Sequence, residues 1–313
     1  MTAVGGADVA TPRRRILVAG AGGYLGAHLM ARLARSGTVD VVGTCRPGAT
    51  DRGLVPVDLT DPGPTLRAMR ALAPDAVVWC AKAGARPSEA ARARDEEGLL
   101  AGLDAVLEGL GATARLVYVS SDGVLPGVGA PHDESAVPVP MASSLPLAAY
   151  TNAKLEGEER VRGSGDRHLV VRVGPLYGRG LTGAWDGRTT ALRDAWRSDA
   201  VVERATNVVR TFLHVEDAAA ALAELCRTDR AGTLHLGPKL PASHFAFALA
   251  TARRLGVPSA RVRPVTVTGA DAERRGVRLD TSLDTGRART TLATSFRPVG
   301  DVGDPAPAPA TPC

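Results

Sequence analysis

Tyr150 and Lys154 stand four positions apart in Leu147 to Arg162, a stretch whose pattern predicts a helix. That spacing puts both side chains on one side of the helix, about one turn from each other. A free tyrosine, with a pKa of about 10, is a poor acid or base at neutral pH; a lysine ammonium beside it stabilises the phenolate and is expected to lower that pKa. Such a pair could give a proton to a carbonyl oxygen or take one from an alcohol. Ser121, at the end of a predicted strand, could hydrogen-bond the same oxygen. The chain has four tyrosines and only three lysines, Lys82, Lys154 and Lys239, so fewer than ~0.05 such pairs would arise by chance. The competing reading is a solvated helix pair without chemistry.

A proton donor needs a partner to act with, and the stretch Arg15 to Gly26, RILVAGAGGYLG, points to one. Ile16, Leu17 and Val18 form the short apolar run of a parallel strand covered on both faces. Gly20, Gly23 and Gly26 follow at a spacing of three, where a chain turning into a helix brings bare backbone against a dinucleotide pyrophosphate. Leu25, Leu29 and Leu33 fall on one side of that helix. The spacing is G-x-x-G-x-x-G rather than the more usual G-x-G-x-x-G, and such triplets also serve turns that bind nothing.

Beyond the turn, strands and helices alternate. Strands are expected at Val39–Thr44, Leu54–Asp58, Val77–Trp79, Arg115–Val119 and His168–Val173, with helices from Asp61 and over Glu89–Leu110. The pattern describes an open parallel sheet with its ligands at the carboxyl ends of the strands. The second strand ends Thr44-Cys45-Arg46, with no acid to bind a ribose 2′-hydroxyl, and Asp40 lies at the wrong end. Arg46 can pair with a 2′-phosphate, which favours NADP(H), with NAD(H) possible. Leu125 to Pro146 is a patternless loop of about 20 residues, of a length that usually serves as a lid or binding segment. After Val173 the alternation stops: a helix holding Trp185, Leu192 and Trp196, a strand at Thr211–Val215, a helix at Asp217–Arg227 and a strand at Thr233–Leu236. A helix near Phe245–Leu255, a strand at Val262–Val267 and a short helix at Leu283–Leu292 complete it.

Composition narrows the class. The 313 residues are 44% hydrophobic, ample for a large core, and no apolar run approaches the ~18 to 20 residues that cross a bilayer. A soluble cytoplasmic protein is expected, with no membrane partner. Net charge is +5, yet the basic residues are spread out and not interleaved with aromatics, so small anionic ligands account for them better than nucleic acid does. Cys45, Cys80, Cys226 and Cys313 stand far apart, without metal spacing or a disulfide framework.

These residues resemble the extended short-chain dehydrogenase/reductase family, and within it the dTDP-4-dehydrorhamnose reductase group of sugar-nucleotide reductases. The resemblance covers about residues 14 to 295, through GAGGYLG, DLTD, PDAVVWCAKA, YVSSDGV, YTNAKLEGE, VRVGPLYG, RTFLHVEDAA and LDTSLDTGRARTTL. It implies an α/β fold, a Rossmann-type doubly wound parallel sheet with a smaller C-terminal α/β substrate lobe. From the residues themselves, the loss of alternation after Val173 sets 13–178 with 211–236 as the NADP-binding domain and 179–210 with 237–298 as the lobe, while the small, unpatterned 1–12 are expected to be disordered and 299–313, with PAPAPATP, a mobile tail. The resemblance further implies Ser121, Tyr150 and Lys154 as the catalytic trio, with Lys154 also on the nicotinamide ribose. The cofactor would lie along Gly20, Gly23, Tyr24, Leu25, Gly26 and Arg46, with Asp58 and Leu59 beside adenine. Ala81, Lys82, Val173 and Gly174 would line its other end, and Arg210 would meet a substrate phosphate. Lys82 stands where the group has small residues, and Leu125 replaces an expected aromatic; both are expected on the substrate side.

The function expected is NADPH-dependent reduction of a ketone, in this group a 4-keto nucleotide sugar. Alternatives are an NAD(P)-dependent nucleotide-sugar epimerase or dehydratase, or a non-catalytic NADP-binding regulatory subunit on the same fold. A homodimer is possible.

Overall fold

The computed structural model describes residues 13–49, 53–84 and 88–300; the expected disordered start and most of the expected mobile tail lie outside them. The first half runs β1 (Arg15–Ala19), α1 (Tyr24–Ser36), β2 (Asp40–Cys45), β3 (Val55–Pro56), α2 (Pro62–Leu72), β4 (Ala76–Trp79), α3 (Glu89–Gly109), β5 (Arg115–Ser121), α4 (Ala148–Gly163) and β6 (Leu169–Val173). There follow β7 (Leu176–Tyr177), α5 (Gly187–Arg197), β8 (Val202–Ala205), β9 (Val209–Arg210), β10 (Leu213–His214), α6 (Val215–Leu225) and β11 (Gly232–Leu236). The chain closes with β12 (Ala242–Ser243), α7 (His244–Arg254), β13 (Val262–Val265), α8 (Gly269–Arg275) and α9 (Gly286–Thr291).

Seven strands form one sheet in the order β11-β6-β5-β4-β1-β2-β3, all parallel. Strand alternation divides the apolar residues of β1 between its two faces. Ile16 and Val18 pack with Leu25, Leu29 and Leu33 of α1, Leu222 and Leu225 of α6 and Ala288 of α9. Leu17 and Ala19 pack with Met69 of α2, Leu103 and Val106 of α3 and Val161 of α4. Full burial of each such aliphatic side chain stabilises the fold by roughly 1.5–3 kcal/mol, which is why the apolar runs read as central strands. Helix starts follow local chemistry as well. Asp61 caps α2 by accepting from the Gly63 N–H at 3.0 Å ahead of Pro62, and Ser88 caps α3 by accepting from the Ala91 N–H at 3.2 Å.

A second core gathers Tyr177, Leu192, Trp196, Val202, Phe212, Phe247, Ala252, Val262 and Val299. Phe212 and Phe247 stack with ring centroids 4.3 Å apart. Two details depart from the expected division. Val299 is buried there rather than opening a mobile tail, and α9 returns to the main sheet, where Ala288 joins its core. The expected strand at 211–215 is only β10, because α6 begins at Val215, with His214 as its cap. The third strand shrinks to two residues, since it is an edge paired with β2 alone. β8 and α8 are too short for a sequence pattern; β8 exists because β13 pairs with it over four residues.

The long loop is no free lid. Arg278 donates to the carbonyls of Gly123 and Leu125 at 2.6 Å each and to Val139 at 2.6 Å, tying the start of the segment to its middle. Leu125 is fully buried against Val124 and Leu283, so it does not face substrate as expected. A branched aliphatic chain fills that small core where an aromatic ring was anticipated.

Candidate functional site

The carboxyl ends of β1, β4 and β5 meet at one edge, and the turn after β1 is the tightest feature there. Gly20 has φ +85°, a conformation L side chains rarely adopt, and a Cβ would stand 3.0 Å from the Ala81 backbone. A Cβ on Gly26 would lie 2.3 Å from the Gly20 carbonyl oxygen, so α1 can approach the turn only without one. The Thr44 hydroxyl accepts from the Gly20 N–H at 3.1 Å and ties β2 to the turn. α1 has no capping side chain at Gly23 and no acid in its first turn. Its N-terminus therefore suits an anion, and these residues fit a dinucleotide pyrophosphate. The side chains of Tyr24 and Leu25 are engaged elsewhere: the Tyr24 hydroxyl donates to the Gly178 carbonyl at 2.9 Å and Leu25 is buried in the core.

Around the turn, Arg46 is exposed beyond β2 and close enough to Asp58 to act on it. The Thr60 hydroxyl and N–H donate to Asp58 Oδ1 at 2.7 and 3.0 Å and hold that carboxyl below its usual range, with a smaller pull from Arg46. The backbone of Leu59 lies on α3, where Gly102 leaves room for its carbonyl. Ala81 is buried, Lys82 exposed and Val173 buried. A Cβ on Gly174 would stand 2.0 Å from the Thr211 carbonyl oxygen, so only glycine passes there.

The catalytic candidates converge at the same edge. Lys154 is buried and donates to the Val119 carbonyl at 2.9 Å and the Ala81 carbonyl at 3.4 Å, its Nζ lying 4.9 Å from the Tyr118 ring centroid. Burial lowers its pKa to about 8, against the opposing pull of Glu96. Tyr150 shares a hydrogen bond with Ser121, yet burial pushes its phenol up to about 12. The expected lowering of the Tyr150 pKa by Lys154 is not what the site favours: the ammonium is turned to two carbonyls, and the partial burial of the phenol outweighs its hydrogen bond to Ser121. A phenol that keeps its proton at neutral pH is a proton donor, the role a reduction requires.

Ser121 Oγ also donates to Asp122 Oδ1 at 3.2 Å, and the Thr281 hydroxyl donates to Asp122 Oδ2 at 2.9 Å. Arg210, expected on a substrate phosphate, has its guanidinium turned inward. It donates to the carbonyls of Val209 at 2.6 Å, Arg278 at 2.6 Å and Leu279 at 3.1 Å, and faces Asp122 at 3.7 Å. Arg188, at the start of α5, is exposed, acts on both Tyr150 and Asp122, and makes no side-chain hydrogen bond or ion pair among the described residues. No motif marks it. Glu96 of α3, buried beside Lys154, could have been noticed as an acid on an apolar helix face, four before Leu100 and seven before Leu103.

A family model described as the RmlD substrate binding domain matches residues 14–298. The chain belongs to this family. Among relatives of the chain, methionine adenosyltransferase 2 subunit beta of Xenopus laevis is 28% identical over 272 residues, 83% of this chain and 77% of that protein. A 3-diazoavenalumate denitrifying reductase from a Streptomyces species is 33% identical over 265 residues, 81% of this chain and 85% of its own. In three dimensions the RmlD-type fold resembles dTDP-4-dehydrorhamnose reductase from Bacillus anthracis in complex with NADP, with a TM-score of 0.71 at 19% identity, covering 93% and 97% of the two chains. No helix among the described residues is long and apolar enough to cross a membrane.

Proposed function

We propose that the protein is an NADPH-dependent ketoreductase in which Tyr150 protonates the substrate oxygen. What supports this is the hydrogen bond between Ser121 and Tyr150, with Lys154 one turn further along α4, beside a glycine turn that fits a dinucleotide. When bound, the nicotinamide supplies the hydride. Lys154, anchored on the carbonyls of Ala81 and Val119, binds the cofactor ribose and brings positive charge near the reacting oxygen. Ser121 holds the substrate oxygen, and Tyr150, kept neutral by burial, gives it a proton. Arg46 recognises a 2′-phosphate.

The second core forms a substrate lobe over the carboxyl edge of the sheet. Arg188 is the arginine best placed to meet an anionic group of the substrate, such as the diphosphate of a 4-keto nucleotide sugar, because Arg210 is committed to carbonyls and Asp122. NADPH absorbance followed with a panel of 4-keto nucleotide sugars and smaller ketones tests the reading. Stoichiometric loss of NADPH supports it; product without net cofactor change points to an epimerase or dehydratase. A regulatory role is kept as a second reading because of the relative that is a subunit of methionine adenosyltransferase. NADPH binding without turnover on any member of the panel favours that role.

A further inference from the structure

Beside Lys154 lies a cavity of about 10 Å³, room for the centre of one water molecule. Trp79, Leu99, Leu100, Leu103 and Tyr118 line it, and its charged members are Lys154 and Glu96. Glu96 is only 4% exposed, and its Oε1 has no hydrogen-bond partner. Burial raises the pKa of this carboxyl, and the charge on Lys154 is the largest influence pulling it back down, ahead of the Ala83 N–H that donates to it. A buried carboxylate oxygen without a partner is costly, and a charged neighbour or a bridging water is the usual reason one persists.

We propose that Glu96 is the counter-ion that keeps Lys154 charged, acting across this cavity through a single water, and is therefore a positioning residue of the active site. The other groups facing Lys154 cannot take this part. The Cys80 thiol is pushed up to about 12 by burial and stays neutral. Glu158 is spent on Arg172 at 2.8 Å and Arg162 at 2.7 Å, and it accepts from the Ser120 hydroxyl at 2.5 Å. The Tyr118 phenol is held protonated by burial, Tyr150 likewise, and Lys82 is a second cation that opposes the charge on Lys154. On the side of Glu96, Arg92 already has Glu89 at 3.6 Å, and Lys82 is exposed to water. Lys154 is the buried cation left to balance it. The purpose assigned to this pair rests on the reductase reading, but its test does not.

With three lysines in the chain, the ¹³Cε resonance of each can be followed by NMR in uniformly lysine-labelled full-length protein, Lys154 being assigned by its loss in Lys154→Met. The wild-type Lys154 midpoint is expected near pH 8. Glu96→Gln keeps the shape and the acceptor for Ala83 but removes the charge, and should lower that midpoint by about one unit or more, tenfold in proton affinity. Glu96→Asp should restore most of the shift. An unchanged midpoint in a folded Glu96→Gln overturns the proposal and leaves Glu96 a loop anchor. If Glu96→Gln fails to fold, the wild-type protein decides: the Lys154 resonance should show a second, smaller inflection as Glu96 titrates, and a single inflection overturns the pairing. A lowered midpoint in a protein that reduces no substrate supports the pair and counts against the reductase reading alone.

Discussion

Replacing Tyr150 by phenylalanine removes one oxygen from the site, and the structure lets the cost be divided between folding and chemistry. Ser121 does not lose its network, since it still donates to Asp122 Oδ1 at 3.2 Å and accepts from the Gly123 N–H at 3.1 Å. The ring stays, so the expected loss of stability is no more than about 1 kcal/mol, the net worth of one hydrogen bond. In a chain of 313 residues that is a fall in Tm of about 1.5 °C. The loss in rate is of another order. Removing a positioned general acid costs about 10²- to 10⁴-fold in kcat, roughly 3 to 5 kcal/mol of transition-state stabilisation. NADPH affinity should survive, because in the proposed site the side chain that would hold the cofactor is Lys154, anchored independently on Val119 and Ala81. Three measurements check this together: kcat by NADPH absorbance on an identified substrate, NADPH Kd by fluorescence, and Tm by calorimetry. The wild-type pH profile adds a fourth. Tyr150, at about 12, keeps its proton across the working range, so a fall in kcat above about pH 8 belongs to Lys154. Near wild-type turnover in a folded Tyr150→Phe protein would refute the assignment.

Arg46→Asp should erase or reverse a preference for NADPH over NADH of about ten- to hundredfold, from a charge-assisted contact worth about 1.5–3 kcal/mol; equal wild-type Kd values for the two cofactors would sink this. The two arginines of the substrate side should separate. Arg210→Ala strands Asp122 and the carbonyls of Arg278 and Leu279 and should cost about 3 kcal/mol of stability. Arg188→Ala should leave stability unchanged and raise KM for an anionic substrate about tenfold, and the reverse pattern in urea melts and kinetics would restore Arg210 as the contact. His235 is fully buried, its Nδ1 3.1 Å from the His132 carbonyl and its Nε2 3.5 Å from Arg172, and burial lowers its pKa to about 4. The unfolded state then binds the proton first, so stability is lost as pH falls from about 6.5 to 4, by about 3 kcal/mol at roughly 1.4 kcal/mol per unit. His235→Asn should flatten that slope in urea titrations, and an unaltered slope would show that other groups drive acid unfolding.

Much of the frame was legible in the chain because it rests on local rules. The apolar run Ile16–Val18, the glycines after it and the Leu25, Leu29, Leu33 stripe each encode their own geometry, and the structure places all three leucines in the core. The four-residue spacing of Tyr150 and Lys154 likewise puts them on one helix, α4. What no local pattern reports is electrostatics between distant segments. Lys154 was expected to lower the Tyr150 pKa, but its direction is set by carbonyls from β5 and the turn after β4, 35 and 73 positions away. Arg210 looks like any basic residue until its neighbours 68 and 69 positions on, Arg278 and Leu279, claim its guanidinium. Glu96 becomes a partner of Lys154 only when α3 packs beside α4 and closes a water-sized gap between them. Spacing along the chain determines which side chains share a face; the charge each carries depends on the water removed and the dipoles supplied by strands far away, and only the tertiary structure decides that.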